Sequence, residues 1–195
     1  MFARTLKFLP LIPFFTACAE QPAPAPAAPA YVSEAPLPEG WPQPGPYLKV
    51  TEKAYPAYRA AFTGGKGETG SFWTLFLHIK KNDIPMTAPV EMAMEPAEGD
   101  LSRSNMAFLY QNGQVGQPGA AGRNVEVRDV PAYKVLNYTW QGTDSKENIA
   151  TARAAIEAEL AQRKVTASQF RLLGYNGPGT PRAKATWELQ AVLPR

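Results

Sequence analysis

One histidine and one cysteine narrow the chemistry open to these 195 residues. His78 is the only imidazole, so a histidine-held iron or a serine–histidine–acid relay would have to use it. No GxSxG elbow occurs, and no set of residues has zinc-ligand spacing. A lone thiol rules out an internal disulfide and a CxxCH haem attachment. The 17 acidic residues leave carboxylate pairs open, but no spacing singles one out. The expectation is therefore a protein that binds and does not catalyse. Met86, Met92, Met94 and Met106 offer soft thioethers that can pack on a flat ligand or sit axial to an iron. Arg59 and Lys134 can pair with carboxylates at the mouth of a groove. Each of these residues also reads as ordinary core packing or a solvated side chain, and for His78 a surface or boundary position without a ligand is the favoured reading.

The chemistry of Cys18 is of another kind. Residues 1–17 run from a basic end (Arg4, Lys7) through the apolar FLPLIPFF to the small residues Thr16 and Ala17. That order is expected of a bacterial export signal, and the apolar run is far shorter than the roughly 20 residues a spanning helix needs. FTAC looks like a lipobox, so Cys18 is expected to carry lipid, palmitate included. Ala19 follows it, which points to the outer membrane. The expected location is the bacterial envelope, tethered and facing the periplasm. Nine prolines between residues 22 and 46 predict an extended spacer over residues 18–46. One domain, residues 47–195, then remains. The net charge is only +3, and no basic run extends past Lys80-Lys81, so nucleic acid is not expected as a partner. A monomer is expected.

These side chains must be positioned by two similar halves. KAYPAYRAAFTG (residues 53–64) and RDVPAYKVLNYTW (residues 128–140) share PAY followed by a basic residue, so Arg59 and Lys134 are equivalent. A helix is predicted over residues 72–82, with Phe72, Leu75, Phe76 and Ile79 as its apolar stripe. Trp73 and Leu77 lie off that stripe and call for a second partner, either an edge of the sheet or a ligand. His78 lies on the flank. A second helix is predicted over residues 145–164, with Ile149, Ala152, Ile156 and Leu160 inward and an Asp144/Glu147 capping pair. Strands alternate around Val90–Met92–Met94, Met106–Phe108–Tyr110, Val125–Val127 and residues 185–193, with Glu91, Glu188 and Gln190 on the outward side. The architecture expected is α+β: duplicated, pseudo-twofold β-α-β-β units with two covering helices, joined across the glycine-rich residues 111–124.

IPMTAPV, residues 84–90, resembles the signature of the SOUL haem-binding family, and the helix before it resembles that family's aromatic helix. YNGPGTP, residues 175–181, is similar to the family's proline turn, and the PAY copies to the first strand of each family half. The likeness covers about residues 47–193. It departs where Asn82-Asp83 joins helix to signature directly, and where AKATWE stands at residues 183–188. The resemblance implies a distorted barrel and a tetrapyrrole or similar flat apolar ligand. No cofactor is required, and haem or porphyrin is the ligand implied. Trp73, Leu77, Met86, Arg59, Lys134 and Tyr175 are the candidate binding residues, with Met86 foremost among the methionines. Residues 175–180 are a candidate flap. The alternatives are a structural or interaction lipoprotein of the envelope with no small ligand, and a hydrolytic or other enzyme using a groove.

Overall fold

A computed structural model describes residues 29–63 and 68–195. Cys18, the export signal and the first part of the expected spacer lie outside the described residues. The elements are β1 (Val50–Tyr55), β2 (Tyr58–Thr63), α1 (Glu68–Lys81), β3 (Val90–Ala97) and β4 (Asp100–Leu109), then β5 (Gly119–Ala120), β6 (Val125–Val130), β7 (Tyr133–Gln141), α2 (Lys146–Arg163), β8 (Gln169–Gly174) and β9 (Thr186–Val192). A short 3-10 turn, Arg182–Lys184, precedes β9. No helix among the described residues is long and apolar enough to cross a membrane.

The strands form one sheet in the order β1-β7-β9-β8-β3-β4-β2-β6-β5, with every pairing antiparallel. It does not close: β1 and β5 are edges, so the expected barrel is an open, α+β sheet. Two strands, not one, precede each helix. Proline lacks the N–H a ladder needs, and the chain breaks at Pro56-Ala57 and at Pro131-Ala132. β1 then pairs with β7, while β2 pairs with β4 and β6. The PAY copies are therefore turns that end in the first residues of β2 and β7.

α1 starts four residues before the expected point, where Thr69, Gly70 and Ser71 give no apolar rhythm. α2 is capped by Ser145, whose side chain accepts from Asn148 N, and not by Asp144. It ends on Lys164 in the left-handed conformation. Both helices lie on one face of the sheet. Leu75 and Ile79 of α1 and Ile149, Ala152, Ile156 and Leu160 of α2 meet Met92, Phe108, Leu136, Leu172 and Leu189 there.

The opposite face was expected to be polar and wet. It is buried as well. Nine strands accumulate twist, and the curl brings Tyr58 at the start of β2 within 6.2 Å of Tyr133 at the start of β7, although four strands separate them in the sheet. Trp41 packs beside them, edge-on to Tyr55 and Tyr58. The expected spacer thus does not describe residues 31–46. They have almost no regular structure, as their prolines dictate, but they are packed and bonded: Ala88 N donates to Pro36 O, Glu39 N to Gln111 O, and Trp41 is buried. The apolar Tyr31, Leu37 and Trp41 among the prolines make this segment a cover.

Candidate functional site

The structure scatters the residues singled out from the sequence. Arg59 is fully engaged: Nε and Nη2 bond Asp129 at 2.7 and 3.0 Å, and Nη1 bonds Gly116 O at 2.8 Å. Lys134 is exposed and stands 3.5 Å from Glu52. Met86 is half-buried against the helix-side core. Tyr175 is buried on the other face, where it accepts a 3.4 Å bond from Trp41 Nε1. Trp73 and Leu77 remain on the outer side of α1, 55% and 65% exposed. The turn after Tyr175 closes on the chain itself: Glu34 accepts from Gly177 N at 2.6 Å and from the Thr180 hydroxyl. Gly174 is needed there because the Trp187 ring would lie 2.8 Å from a Cβ, not because of an unusual φ.

His78 is not a surface residue. It is 8% exposed, with Nε2 2.8 Å from the Tyr110 hydroxyl and Nδ1 3.3 Å from Asn82 Nδ2. Burial pushes its pKa down, and burial pushes Tyr110 up to about 12. Both ring nitrogens are occupied by structural bonds, so His78 makes a poor ligand. Among the described residues no three histidine, cysteine or acidic side chains gather as a metal site would require.

What the fold does assemble is a cleft of about 580 Å³ between the β3–β4 hairpin and the first turn of α2. Met92, Met94 and Met106 line it with Leu101 and Ile149. Alternation in β3 and β4 aims these methionines to the helix side, and a bulge between Met92 and Met94 widens their spacing against β4. At the rim, Arg103 Nη2 bonds Asp144 Oδ2 at 2.5 Å, tying the hairpin to α2. Lys146 opens α2 at the same rim, where the helix presents its positive end. Glu98 and Asp100 also border it. The volume is that of a small-molecule site, roughly 300–1,000 Å³.

The other face holds a polar network that sequence reasoning missed. Glu91 accepts from Tyr58 Oη at 2.6 Å and stands 3.4 Å from Arg171 Nη1. Arg171 Nη2 donates to Gln190 Oε1 at 3.1 Å, and Gln190 Nε2 donates to Glu188 Oε1 at 2.7 Å. Glu188 also takes Lys53 Nζ at 2.7 Å, Thr139 Oγ1 at 2.9 Å and Tyr55 Oη. Burial opposes the charge of Arg171 more than any single neighbour supports it, but Glu91, Tyr133 and Tyr58 together hold its pKa above the ordinary value. Burial likewise raises Tyr58 and Tyr133. EMAM, FRLL and WELQAV set each charge among apolar residues, a pattern that a strand with one wet face shares, so alternation alone did not mark the burial.

Known proteins place this fold. A comparison with curated proteins finds no match. Among solved structures, the EcmrR C-terminal domain aligns at TM-score 0.56 and 13% identity, over 75% of this chain and 98% of that one. The EcmrR chain of an EcmrR–DNA complex aligns at TM-score 0.56 and 12% identity over 75% of this chain, which spans 58% of that longer protein. A structure titled as a hydrolase from Listeria innocua aligns at TM-score 0.54 and 14% identity, over 76% and 93% of the two chains. At such identities these likenesses show the fold alone. The model of the family described as SOUL heme-binding protein matches residues 49–188, most of the folded chain, and the protein belongs to that family.

Proposed function

We propose that this protein is a non-catalytic binding protein for haem, a porphyrin or a similarly flat apolar molecule, held on the periplasmic side of a bacterial envelope by lipid on Cys18. The observation that carries the ligand reading is the meeting of Met92, Met94 and Met106 in the cleft between the β3–β4 hairpin and α2. Thioethers adapt to a flat face and one can approach an iron axially. Lys146 and the positive end of α2 suit carboxylates at the mouth, and Arg103 neutralises Asp144. The apolar walls supply affinity at roughly 25 cal/mol per Å² before binding costs. We also read the two strand–strand–helix–strand–strand runs as copies of one unit, each with its PAY turn between the first two strands, with the folded domain beginning near residue 31. The hydrolase title of a distant fold relative lends no activity to this chain.

The test is a titration of haemin and iron-free protoporphyrin into the purified chain. Both should saturate at one equivalent, with similar affinities. Met94→Ala should weaken both by about tenfold, the scale of one well-packed buried side chain. His78→Ala should leave affinity largely intact. Trp73→Ala reports on the outer side of α1: a loss there with Met94→Ala silent would move the ligand to that helix face. No binding of either ligand at micromolar concentration removes the binding reading. The exposed pair Trp73 and Leu77 then favours the second one, an envelope lipoprotein whose α1 contacts another protein. Cys18→Ser tests the tether, since the protein should leave the membrane fraction.

A further inference from the structure

A second cleft, of about 420 Å³, opens where the β6–β7 turn faces the start of β8 and the end of β9. Its walls are apolar: Val130, Pro131, Val192 and Leu193. Arg171 and Tyr133 stand among them, and Ser168, Gln169 and Arg195 also border the cleft. Arg171 is 3% exposed. Nη1 and Nη2 are committed to Tyr58, Glu91 and Gln190, but Nε is buried without a hydrogen-bond partner. Tyr133 Oη is in the same condition. The guanidinium lies over the face of the Tyr133 ring, 4.0 Å from its centroid. Tyr55 stacks on the ring at 5.3 Å, which holds the arrangement. A buried donor left unmade is costly, and native structures rarely keep one without a use.

We propose that this cleft binds a small amphiphile through its carboxylate, the oxygens accepting from Arg171 Nε and Tyr133 Oη while the apolar body lies along Val130, Pro131, Val192 and Leu193. A carboxylate supplies acceptors that both donors lack, and charge-assisted bonds to a guanidinium are among the stronger ones. No acidic side chain lines this cleft. The neighbouring cleft that shares Arg171 is bordered by Glu91, Glu95 and Asp129 and disfavours an anion. Both donors are shielded from solvent, so the lining must shift for a ligand to reach them. The site is distinct from the methionine-lined cleft on the other face and does not depend on the tetrapyrrole reading.

Isothermal titration of the purified chain with octanoate, octanol and octyltrimethylammonium tests this. Octanoate should bind at least about tenfold more tightly than octanol, the scale of a charge-assisted pair, and the cation should not bind. Tyr133→Phe removes one donor and keeps the stack. It should lower octanoate affinity about fivefold to tenfold with octanol affinity and melting temperature unchanged. Arg171→Lys keeps the charge beside Glu91 and removes the Nε–H, and should lower octanoate affinity further. Haemin affinity should be the same in Tyr133→Phe as in the native chain. Equal binding of octanoate and octanol, or full octanoate affinity in Tyr133→Phe, would overturn the proposal. A parallel fall in haemin affinity would overturn the separation of the two sites.

Discussion

On the helix side of the sheet, Met92, Phe108, Leu172 and Leu189 meet α1 and α2 through apolar contact. One residue along the same strands, Glu91, Arg171, Glu188 and Gln190 are equally buried but are held by hydrogen bonds and ion pairs. The first arrangement is forgiving, because apolar side chains of similar volume exchange at modest cost and methionines re-pack. The second is not. Each group there depends on the next, from Lys53 through Glu188, Gln190 and Arg171 to Glu91, and a gap anywhere leaves a buried polar atom bare. An adaptable ligand cleft belongs on the forgiving face. A site for one defined functional group belongs on the exacting one.

The sharpest way to break this comparison is at the buried ion pair. Arg171→Met should destabilise by about 3–5 kcal/mol in urea unfolding, since it leaves Glu91 uncompensated, and adding Glu91→Leu should recover much of the loss. If the two single effects merely add, the network is no more coupled than the apolar face. A milder contrast sets Gln190→Leu, expected to cost about 1–3 kcal/mol by stranding its partners, against Met92→Leu, expected below about 1.5 kcal/mol. Reversal of that order would mean that the helix side is the rigid one. Ser145→Ala should cost about 1 kcal/mol, because it uncaps the helix that covers the apolar face. An unchanged urea midpoint would show that packing alone holds the first turn of α2.

The smallest effect concerns pH. His78 is buried with its pKa pushed down, so the folded protein favours the neutral ring. Its contribution is complete above the unfolded value of about 6.5 and is lost as pH falls through the lower folded value. The melting temperature should therefore fall below about pH 6.5 in the native chain more than in His78→Gln. Parallel profiles would show that His78 titrates as freely in the folded state as in the unfolded one.

Much of the skeleton was legible in the residues. Both helices followed from apolar spacing, with ends shifted where Thr69, Gly70 and Ser71 carry no rhythm and where Ser145, not Asp144, supplies the cap. The inner rows of β3, β4, β6 and β9 followed from alternation, and the family from IPMTAPV. The off-stripe Trp73 and Leu77 were read as needing a partner, and they stand uncovered among the described residues. Of the residues chosen as a site, none lines the methionine cleft, although Met92, Met94 and Met106 had been marked as able to face a ligand. Spacing could show that they share a face. It could not show that the β3–β4 hairpin and α2 leave room there.

Alternation along a strand depends only on neighbours two residues apart, so the sequence alone determined which residues share a face and that the two faces differ. It could not determine that both are dry. That depends on the curl of nine strands and on where a proline-rich segment comes to rest, and each is a sum over contacts between residues far apart in the chain. Tyr58 and Tyr133 show the limit most clearly. Their shared PAY setting is visible in one line of sequence, yet they lie 75 residues apart and four strands apart in the sheet. Only the curl of the tertiary structure, with Trp41 packed edge-on to Tyr58, sets their rings beside one another, Tyr133 over Arg171.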